Sequence, residues 1–447
     1  MGRGRNGLDS MSTLDLLRQR TATATLTRRV GVVREVSGLA IEASGPDVMV
    51  GEICTILARG QKPLKAEVVG LRPGVVTLMP YAASQGLAVG CEVVANGESA
   101  SIGVGDELLG RVIDGFGEPL DGKAAPATAR RRPLKSAPIN PMRRARISQV
   151  LETGIRSIDA LTTLGQGQRV GIFSGSGVGK STLLGQIARH ARADVNVIAL
   201  IGERGREVRE FIDRQLGPEG LTRSVVVVAT SDQPAVARLR AAYAALSIAE
   251  HFRDQGQQVL LTMDSITRFA MARREVGLSA GEPPTARGYT PSVFAELPEL
   301  CERCGTSDSG GSISALLTVL VEGDDMNEPI ADCLRATLDG HIVLSRRLAQ
   351  QAHYPAIDVL HSASRVMSDV VSTPLRTLAV EAVATLALVE QYRQMVDIGA
   401  YVQGSNPALD RALKLRPALT NFLRQAEGGV RRDAALAQLD ALMKDTR

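Results

Sequence analysis

The chain has 447 residues, of which 44% are hydrophobic and 22% are charged, and its formal net charge is +4. This composition is ordinary for a water-soluble globular protein of more than one domain, and the charge excess is too small to indicate a nucleic-acid partner by itself. Aromatic residues make up 3% of the chain and tryptophan is absent, which argues against a single-stranded nucleic-acid site, because such sites stack bases on aromatic rings.

The first 25 residues are predicted to be a loosely held tail, because they are polar and rich in glycine and arginine. Residues 11–20 have an amphipathic pattern that predicts a short helix, and Met11 is an alternative start. No uninterrupted apolar core marks a secretion signal, and no apolar run approaches the length of a membrane span. The basic charge of the tail leaves open a contact with an anionic partner or a membrane surface.

The five cysteines are few for this length and odd in number, which favours a reducing cytoplasm. Cys301 and Cys304 form a C-x-x-C pair beside a predicted helix at residues 295–300. Such a pair could be half a zinc site or a redox pair, but no second pair has metal-ligand spacing. We therefore expect these two thiols to be structural.

Residues 26–98 are predicted to form a small β-barrel. Short β-rich runs at residues 30–36, 39–43 and 66–71 are separated by glycines, and several short strands at such spacing are typical of a barrel. The single aromatic residue in this region is Tyr81, so the region lacks the aromatic face of a nucleic-acid-binding barrel.

Residues 99–370 are predicted to form an α/β domain that begins with a connecting segment. Apolar runs at residues 198–201, 225–229 and 259–263 alternate with helical patterns. Near-continuous runs of this kind predict parallel strands that are buried on both faces of a sheet.

The connecting segment is predicted to run from Leu109 through a stretch rich in proline and arginine to Pro141. Residues 371–447 have a helical pattern rich in alanine and leucine, with one predicted break at residues 404–407. The predicted fold class is therefore an α/β core with an N-terminal β-barrel and a C-terminal α-helical domain.

A glycine-rich loop, SGSGVGKS at residues 174–181, is the strongest functional motif of the chain. It follows an apolar run at residues 169–173 that predicts a strand, and it precedes a helical pattern at residues 182–190. Strand, glycine-rich loop and helix are the context of a phosphate-binding P-loop, in which backbone N–H groups and the helix N-terminus surround an anion.

Within this loop, Lys180 is predicted to reach the β- and γ-phosphates of a nucleotide, and the Ser181 hydroxyl is predicted to bind Mg²⁺. The residues predicted to hold the nucleotide are Gly175, Ser176, Gly177, Val178, Gly179, Lys180, Ser181 and Thr182. The strict pattern has glycine where this chain has Ser174, which is a minor departure.

Mg²⁺ needs a second anchor, which is usually an aspartate at the end of a buried strand. Asp264 follows the apolar run at residues 259–263 and is predicted to fill this role, with a helix N-cap as the alternative. Hydrolysis also needs a residue that orients or deprotonates water. Glu203 follows the run at residues 198–201, and its alternative role is a loop ion pair with a neighbouring arginine.

At these residues the chain resembles the catalytic subunits of the rotary F-type and V-type ATPases. It is most similar to their secretion branch, the flagellar type III export ATPases and their injectisome relatives. The motifs that carry the resemblance lie at residues 202–208, 263–272, 281–284, 287–294, 322–329, 338–346 and 353–360. The similarity extends over nearly the whole chain from about residue 26.

The resemblance implies a six-stranded barrel, a RecA-like core, a helical C-terminal domain and a ring of six identical subunits with ATP and Mg²⁺ at the interfaces. It implies that Glu203 is the general base, that Arg204 lies near the phosphates and that Arg268 supports the γ-phosphate. It also implies that Arg365 is an arginine finger acting in trans and that Tyr354 packs on adenine. A surface ion pair for Arg365 and core packing for Tyr354 are the alternatives.

The function implied by the resemblance is that of a motor for flagellar type III protein export. Its implied partners are export chaperones and substrates, export-gate membrane proteins and a stator-like regulator at the N-terminal tail, with peripheral membrane contact and no nucleic acid. The implied location is the cytoplasm, at the inner face of the cell membrane.

Four alternatives remain open at this point. They are an injectisome secretion ATPase, an ATP synthase-like subunit, an RNA-dependent ring helicase and a nucleotide-binding scaffold without turnover. Overall likeness favours the flagellar branch over the injectisome branch, although no single residue decides between them.

Overall fold

The computed structural model describes residues 28–58, 60–321, 323, 325–426 and 428–444. The predicted N-terminal tail, with its short helix, lies outside these residues. The described chain forms two compact units. One comprises the residues up to Pro80 together with Ser84–Glu98, and the other comprises Tyr81–Ala83 together with the chain from Ser99 onward.

Six strands close the first unit into a barrel, which confirms the prediction. They are β1 Val30–Ser37, β2 Ala40–Ser44, β3 Glu52–Leu57, β4 Leu64–Arg72, β5 Val75–Pro80 and β6 Glu92–Ser99. Around the barrel they follow the order β1-β2-β5-β4-β3-β6. Alternate side chains of a strand point to opposite faces, so each strand can turn apolar residues inward. The buried core of the barrel includes Val33, Ile41, Ile56, Val68, Leu78 and Val93.

Tyr81 lies within the residue range predicted for the barrel, but it belongs to the second unit. Its ring packs edge to face on Phe116 with 4.9 Å between the ring centroids, and the guanidinium of Arg240 lies 5.8 Å from its centroid. The described residues of the barrel unit therefore contain no aromatic ring.

A nine-stranded sheet organises the second unit. The strands of this unit are β7 Ser101–Val104, β8 Arg111–Ile113, β9 Arg130–Pro133, β10 Val150–Leu151, β11 Leu164–Gly165, β12 Arg169–Ser174, β13 Val195–Ile201, β14 Ser224–Ala229, β15 Gln258–Asp264, β16 Gly305–Thr306, β17 Ser312–Leu320, β18 Gly340–Leu344 and β19 Ile357–Ser364. The sheet order is β19-β18-β12-β17-β15-β13-β14-β8, with β16 beside β17. Neighbours along this order are parallel except β18 and β19, so the predicted parallel sheet is confirmed.

Helices pack on this sheet and continue beyond it. They are α1 Arg156–Leu161, α2 Lys180–His190, α3 Gly205–Glu210, α4 Gly217–Thr222, α5 Ala235–Asp254, α6 Ile266–Ser279, α7 Pro291–Glu302, α8 Pro329–Thr337, α9 Arg346–Gln350, α10 Met367–Val370, α11 Thr373–Gln391, α12 Arg393–Asp397, α13 Pro407–Leu423 and α14 Arg432–Lys444. None of the helices in the described ranges is long and apolar enough to cross a membrane.

Two details differ from the sequence prediction. The connecting segment contributes Arg111–Ile113 to the sheet as edge strand β8, which is too short to show a periodic pattern. The break predicted at residues 404–407 runs from residue 398 to residue 406, because Pro407 begins helix α13, and the C-terminal helices are interrupted again at residues 424–431. At the second break the backbone N–H of Gln425 donates to the carbonyl of Tyr354 (2.9 Å), so a long-range contact replaces the helical pattern.

The C-terminal helices share one hydrophobic core with the helix that follows the glycine-rich loop. Leu183 and Ile187 of α2 belong to the same buried cluster as Leu419 of α13 and Leu439 of α14. The helical region and the helix after the loop are therefore parts of one buried apolar cluster, and the C-terminal helices α11, α13 and α14 pack on helix α1 within it.

Candidate functional site

The glycine-rich loop connects the end of β12 to the start of α2. Gly177 has φ +76° and Gly179 has φ +88°, a region that residues with a Cβ rarely adopt. These two glycines allow the loop to turn sharply into the helix, and Gly179 is the N-cap of α2. The loop is therefore shaped to present backbone N–H groups at a helix N-terminus, as an anion site requires.

Ser174 explains the departure from the strict P-loop pattern. It is the last residue of β12, and it pairs with Leu320 on one side and Leu344 on the other. A residue in extended backbone tolerates a Cβ, so glycine is not needed at this position. The Ser174 hydroxyl is buried and makes no hydrogen bond within the described residues.

Two carboxylates and one ammonium group meet where the parallel strands end. Asp264 is the last residue of β15, and Glu203 follows β13 closely. The Nζ atom of Lys180 contacts Oδ1 of Asp264 and lies 3.6 Å from Oε1 of Glu203. Burial opposes ionisation of the amine, yet Asp264 and Glu203 hold the pKa of Lys180 above its usual value. The Lys180 side chain is therefore a charged ammonium at neutral pH and can bind an anion.

Glu203 has an unusual protonation equilibrium for a carboxyl group. Burial raises the pKa of Glu203 to about 7, and the nearby charges of Asp264 and Glu207 add to the effect while Lys180 opposes it. Its ion-pair partner is Lys180 of the loop, whereas Arg204 pairs with Glu207, so the alternative of an ion pair with Arg204 or Arg206 is not observed among the described residues. A carboxyl with this pKa can accept a proton near neutral pH, as a general base must.

The oxygen atoms at this site fit Mg²⁺. Asp264 supplies a carboxylate at the strand end, and Ser181 lies in the first turn of α2, exposed to solvent. Ser265 and not Asp264 caps helix α6, so the alternative role of Asp264 as an N-cap is not observed. No group of three or more histidine, cysteine or acidic side chains in the described ranges could hold a metal by itself. Mg²⁺ is commonly bound through one or two protein oxygens together with substrate phosphates, which matches this donor set.

Tyr354 borders a cavity of about 470 Å³ beside the loop. A Cβ placed on Gly179 would lie 3.5 Å from the Tyr354 ring, and 46% of the tyrosine surface is exposed. Core packing therefore does not account for Tyr354. The cavity is lined by Gly177, Gly179, Thr182, Leu183, Gln186, Tyr354, Pro355, Gln425 and Ala426.

Gln425 and Ala426 line this cavity, although the sequence motifs do not predict a role for them. The Gln425 side chain donates to the carbonyls of Gly154 and Gly428 (both 2.8 Å) and accepts from the backbone N–H of Arg156 (2.9 Å). These contacts hold the break between α13 and α14 against the cavity. No periodic pattern or motif marks these residues, because the break is irregular backbone.

Arg268 borders a second cavity beside the loop. It lines this cavity of about 300 Å³ together with Ser174 and Ser176, and its Nε atom is buried without a hydrogen bond in the described part of the chain. A Cβ on Gly202 would come within 2.9 Å of the Arg268 side chain, so the glycine makes room for the arginine beside β13. Arg268 thus lines the same cavity as Ser176 of the loop, and its predicted role at the γ-phosphate stays a prediction.

Two of the arginines predicted to act on the nucleotide, Arg204 and Arg365, do not contact the loop of their own chain. Arg204 is exposed and pairs with Glu207 at 2.8 Å. Arg365 follows β19, which runs antiparallel to β18, and its backbone N–H donates to the carbonyl of Asp339 at the opposite end of the sheet from the loop. At 3.3 Å per residue, the strands place it roughly 15 Å from the loop edge. Its guanidinium donates to the carbonyl of Arg335 (3.2 Å).

Cys301 and Cys304 are both buried as free thiols. Burial raises the pKa of the Cys304 thiol to about 12 and that of Cys301 well above its usual value. The thiolate, which is the reactive form, is therefore rare at both positions.

Family comparisons match the chain in three consecutive parts. The β-barrel domain of the ATP synthase alpha/beta family matches residues 33–97, and its nucleotide-binding domain matches residues 154–364. The C-terminal domain of the T3SS EscN ATPase matches residues 371–441.

Individual proteins are similar over most of their length. The flagellum-specific ATP synthase of Bacillus subtilis (strain 168) is 54% identical, covering 89% of this chain and 91% of that protein. The type 3 secretion system ATPase of Xanthomonas euvesicatoria is 49% identical, covering 92% of each. The assembled ATPase EscN of the enteropathogenic E. coli type III secretion system matches with a TM-score of 0.88 and 44% identity, covering 92% of this chain and 99% of that chain. EscN has also been solved in complex with its central stalk EscO, and that chain matches with a TM-score of 0.85 and 43% identity.

Proposed function

This chain belongs to the family of flagellum-specific ATP synthases and type 3 secretion system ATPases, and we propose that it is the ATPase motor of a flagellar type III protein export apparatus. It is a P-loop ATPase with a barrel, a nucleotide-binding core and a helical C-terminal region. The observation that carries the proposal is the meeting of Lys180, Asp264 and Glu203 at one strand edge of a single polypeptide. Two flagellar proteins are 54% and 55% identical to this chain, which favours the flagellar role. Other flagellar proteins, at 47–49%, overlap with the type 3 secretion system ATPases, at 48–49%, so an injectisome role is the alternative.

The proposed roles follow from charge and position. Lys180 and the loop N–H groups of residues 175–182 bind the phosphates, and Tyr354 stacks on adenine. Ser181 and Asp264 hold Mg²⁺, which when bound neutralises the developing charge on the phosphates.

Around the γ-phosphate, Glu203 takes the proton of the attacking water, since its carboxyl is the one whose pKa lies near neutrality. Arg268 supports the γ-phosphate, because its unpaired Nε borders the same cavity as Ser176 of the loop. Arg204 is exposed in this structure, so its proposed place near the phosphates requires rotation of its side chain away from Glu207.

The proposed active unit is a ring of six identical subunits. Arg365 lies at the sheet end opposite to its own loop, so it is placed to act on a neighbour's nucleotide and not on its own. Each chain contains the residues proposed to bind phosphate and Mg²⁺ and to act as the base, and it also contains Arg365. Identical subunits could therefore complete every site. The solved assembly of the similar EscN supports this arrangement.

The further partners and the location are proposals that rest on the family resemblance. Residues 1–25 would contact a stator-like regulator and the membrane surface, and export chaperones, substrates and export-gate membrane proteins would be handled at the inner face of the cell membrane, in the cytoplasm. In the proposed division, residues 26–98 form the barrel, 99–370 the ATP-binding domain and 371–447 the helical domain.

The first test is the ATPase rate per subunit measured against protein concentration, with the molecular mass followed in parallel. The rate is expected to rise steeply over the range in which hexamers form, because the sites lie between subunits. Lys180→Ala, which removes the cation of the loop, provides the background rate. A constant rate per subunit from monomers would contradict the ring mechanism while leaving ATP hydrolysis intact, and stimulation by RNA would favour a helicase.

The pH dependence of kcat/KM should report the protonation of Glu203. Below a pH of about 7 the carboxyl is protonated and cannot accept a proton, so kcat/KM is expected to rise with pH through that value and then level off. Glu207→Gln should move the midpoint to lower pH, because the charge and hydrogen bond of Glu207 help to raise the pKa of Glu203. A flat profile between pH 6 and 8 would exclude Glu203 as the titrating base.

A further inference from the structure

Thr318 lies between the two strands that carry the phosphate and metal residues. It belongs to β17, which is flanked by β12, the strand before the loop, and by β15, the strand that ends at Asp264. In the register of the sheet, Thr318 pairs with Ile172 of β12, and its predecessor Leu317 pairs with Met263 of β15. Thr318 is fully buried in an otherwise apolar stretch of strand.

The hydroxyl of Thr318 is used by the metal-site carboxylate. Oγ1 of Thr318 donates to Oδ1 of Asp264 (2.8 Å), and the carbonyl of Met263 lies 3.3 Å away as a second acceptor. A buried hydroxyl costs free energy unless it is hydrogen-bonded, and a bond to a charged acceptor is stronger than one to a neutral acceptor. The shorter contact to Asp264 is therefore the one that holds the hydroxyl in place.

Lys180 uses the same oxygen of Asp264. Its Nζ atom contacts Oδ1, so both of these donors engage the same oxygen of the carboxylate and neither of these bonds uses Oδ2. In the proposed function Lys180 moves its contact to the phosphates when a nucleotide binds. The hydrogen bond from Thr318 to Oδ1 then remains, and it keeps this oxygen directed toward strand β17.

We propose that Thr318 is a positioning residue that fixes the orientation of Asp264 by holding Oδ1, so that Oδ2 would be the oxygen available to Mg²⁺. This inference rests on the proposed Mg²⁺ role of Asp264. It gives a function to a buried hydroxyl in an otherwise apolar stretch of strand. Strands favour β-branched residues for packing alone, so the experiment must separate the hydroxyl from the shape of the side chain.

The test compares Thr318→Val, which keeps the shape and removes the hydroxyl, with Thr318→Ser, which keeps the hydroxyl and removes the methyl group. The readout is the equilibrium affinity for a fluorescent ADP analogue, measured with Mg²⁺ and with the metal chelated. Thr318→Val is expected to reduce the gain in affinity due to Mg²⁺ by about tenfold, the size expected for one hydrogen bond to a charged group. Its affinity without Mg²⁺ should stay at the wild-type value, and Thr318→Ser should retain most of the gain.

Asp264→Asn separates a failure of this inference from a failure of the proposed function. If Asp264→Asn leaves the Mg²⁺ gain unchanged, the metal role of Asp264 is wrong, and the proposal for Thr318 falls with it. If Asp264→Asn removes the gain while Thr318→Val behaves as wild type, the role of Thr318 alone is overturned. The double variant is expected to be no worse than Asp264→Asn, because the hydroxyl acts through that carboxylate.

Thermal unfolding of each variant guards against a packing explanation. Equal losses in Thr318→Val and Thr318→Ser, with and without Mg²⁺, would show that Thr318 only packs and would overturn the proposal. Where Thr318→Val does not fold, Thr318→Ala takes its place, and the same Mg²⁺-specific loss relative to Thr318→Ser is expected.

Discussion

Glu203→Gln is expected to lower the kcat for ATP hydrolysis by about 10²–10⁴-fold, the factor that a positioned general base contributes. The amide has the shape of the carboxyl group, but it cannot accept the proton of the attacking water. ATP affinity should remain close to that of the wild type, because Lys180 keeps its position beside Asp264. Single-turnover hydrolysis and equilibrium ATP binding, measured on the same preparation, separate the two effects.

Glu207→Gln is the matched control for this prediction. It removes a carboxylate from helix α3, close to Glu203, but the Glu207 side chain is 38% exposed and pairs with Arg204, whereas that of Glu203 is 16% exposed and lies beside Lys180. Above the pH midpoint its kcat should change by less than about threefold, as for an ordinary surface substitution. If Glu203→Gln lost binding and hydrolysis to the same extent, Glu203 would have a structural role instead of a catalytic one.

The strand-end residues were predictable because parallel strands end at a common edge. Lys180, Glu203 and Asp264 each follow a near-continuous apolar run, and once these runs are read as parallel strands, their carboxyl ends must converge. In the structure, the ammonium group of Lys180 lies beside the carboxylates of both Glu203 and Asp264. Their meeting therefore follows from local patterns and one topological rule.

Other features depended on tertiary contacts that leave no local pattern. Thr318 sits in an apolar run where its side chain is indistinguishable from an ordinary strand former, and Gln425 lies in irregular backbone. Tyr81 is close in sequence to the barrel strands yet packs on Phe116 of the other unit. Arg365 was selected through the family resemblance, since nothing in its own spacing separates it from the other arginines.

Arg365→Ala is expected to lower the kcat of the assembled ring by about 10³-fold or more, because an arginine finger in trans stabilises the charge of the transition state to this extent. ATP affinity of the isolated subunit should change little, since Arg365 lies at the sheet end opposite to its own loop. Arg376→Ala, at an exposed position in α11, is the matched control and should behave as wild type. The measurement is kcat under conditions in which the mass confirms hexamers for every variant.

Mixed rings decide whether Arg365 acts in trans. Arg365→Ala and Glu203→Gln are each nearly inactive alone, but a ring containing both can bring the intact Glu203 of one subunit next to the intact Arg365 of its neighbour. With random mixing of equal amounts, about a quarter of the head-to-tail interfaces have this complete pairing, so activity should recover up to about that fraction of wild type. A finger that acted within its own subunit would leave every site with one defect, and the mixture would be no more active than its components. Recovery of activity would therefore establish that the nucleotide site is built from two subunits.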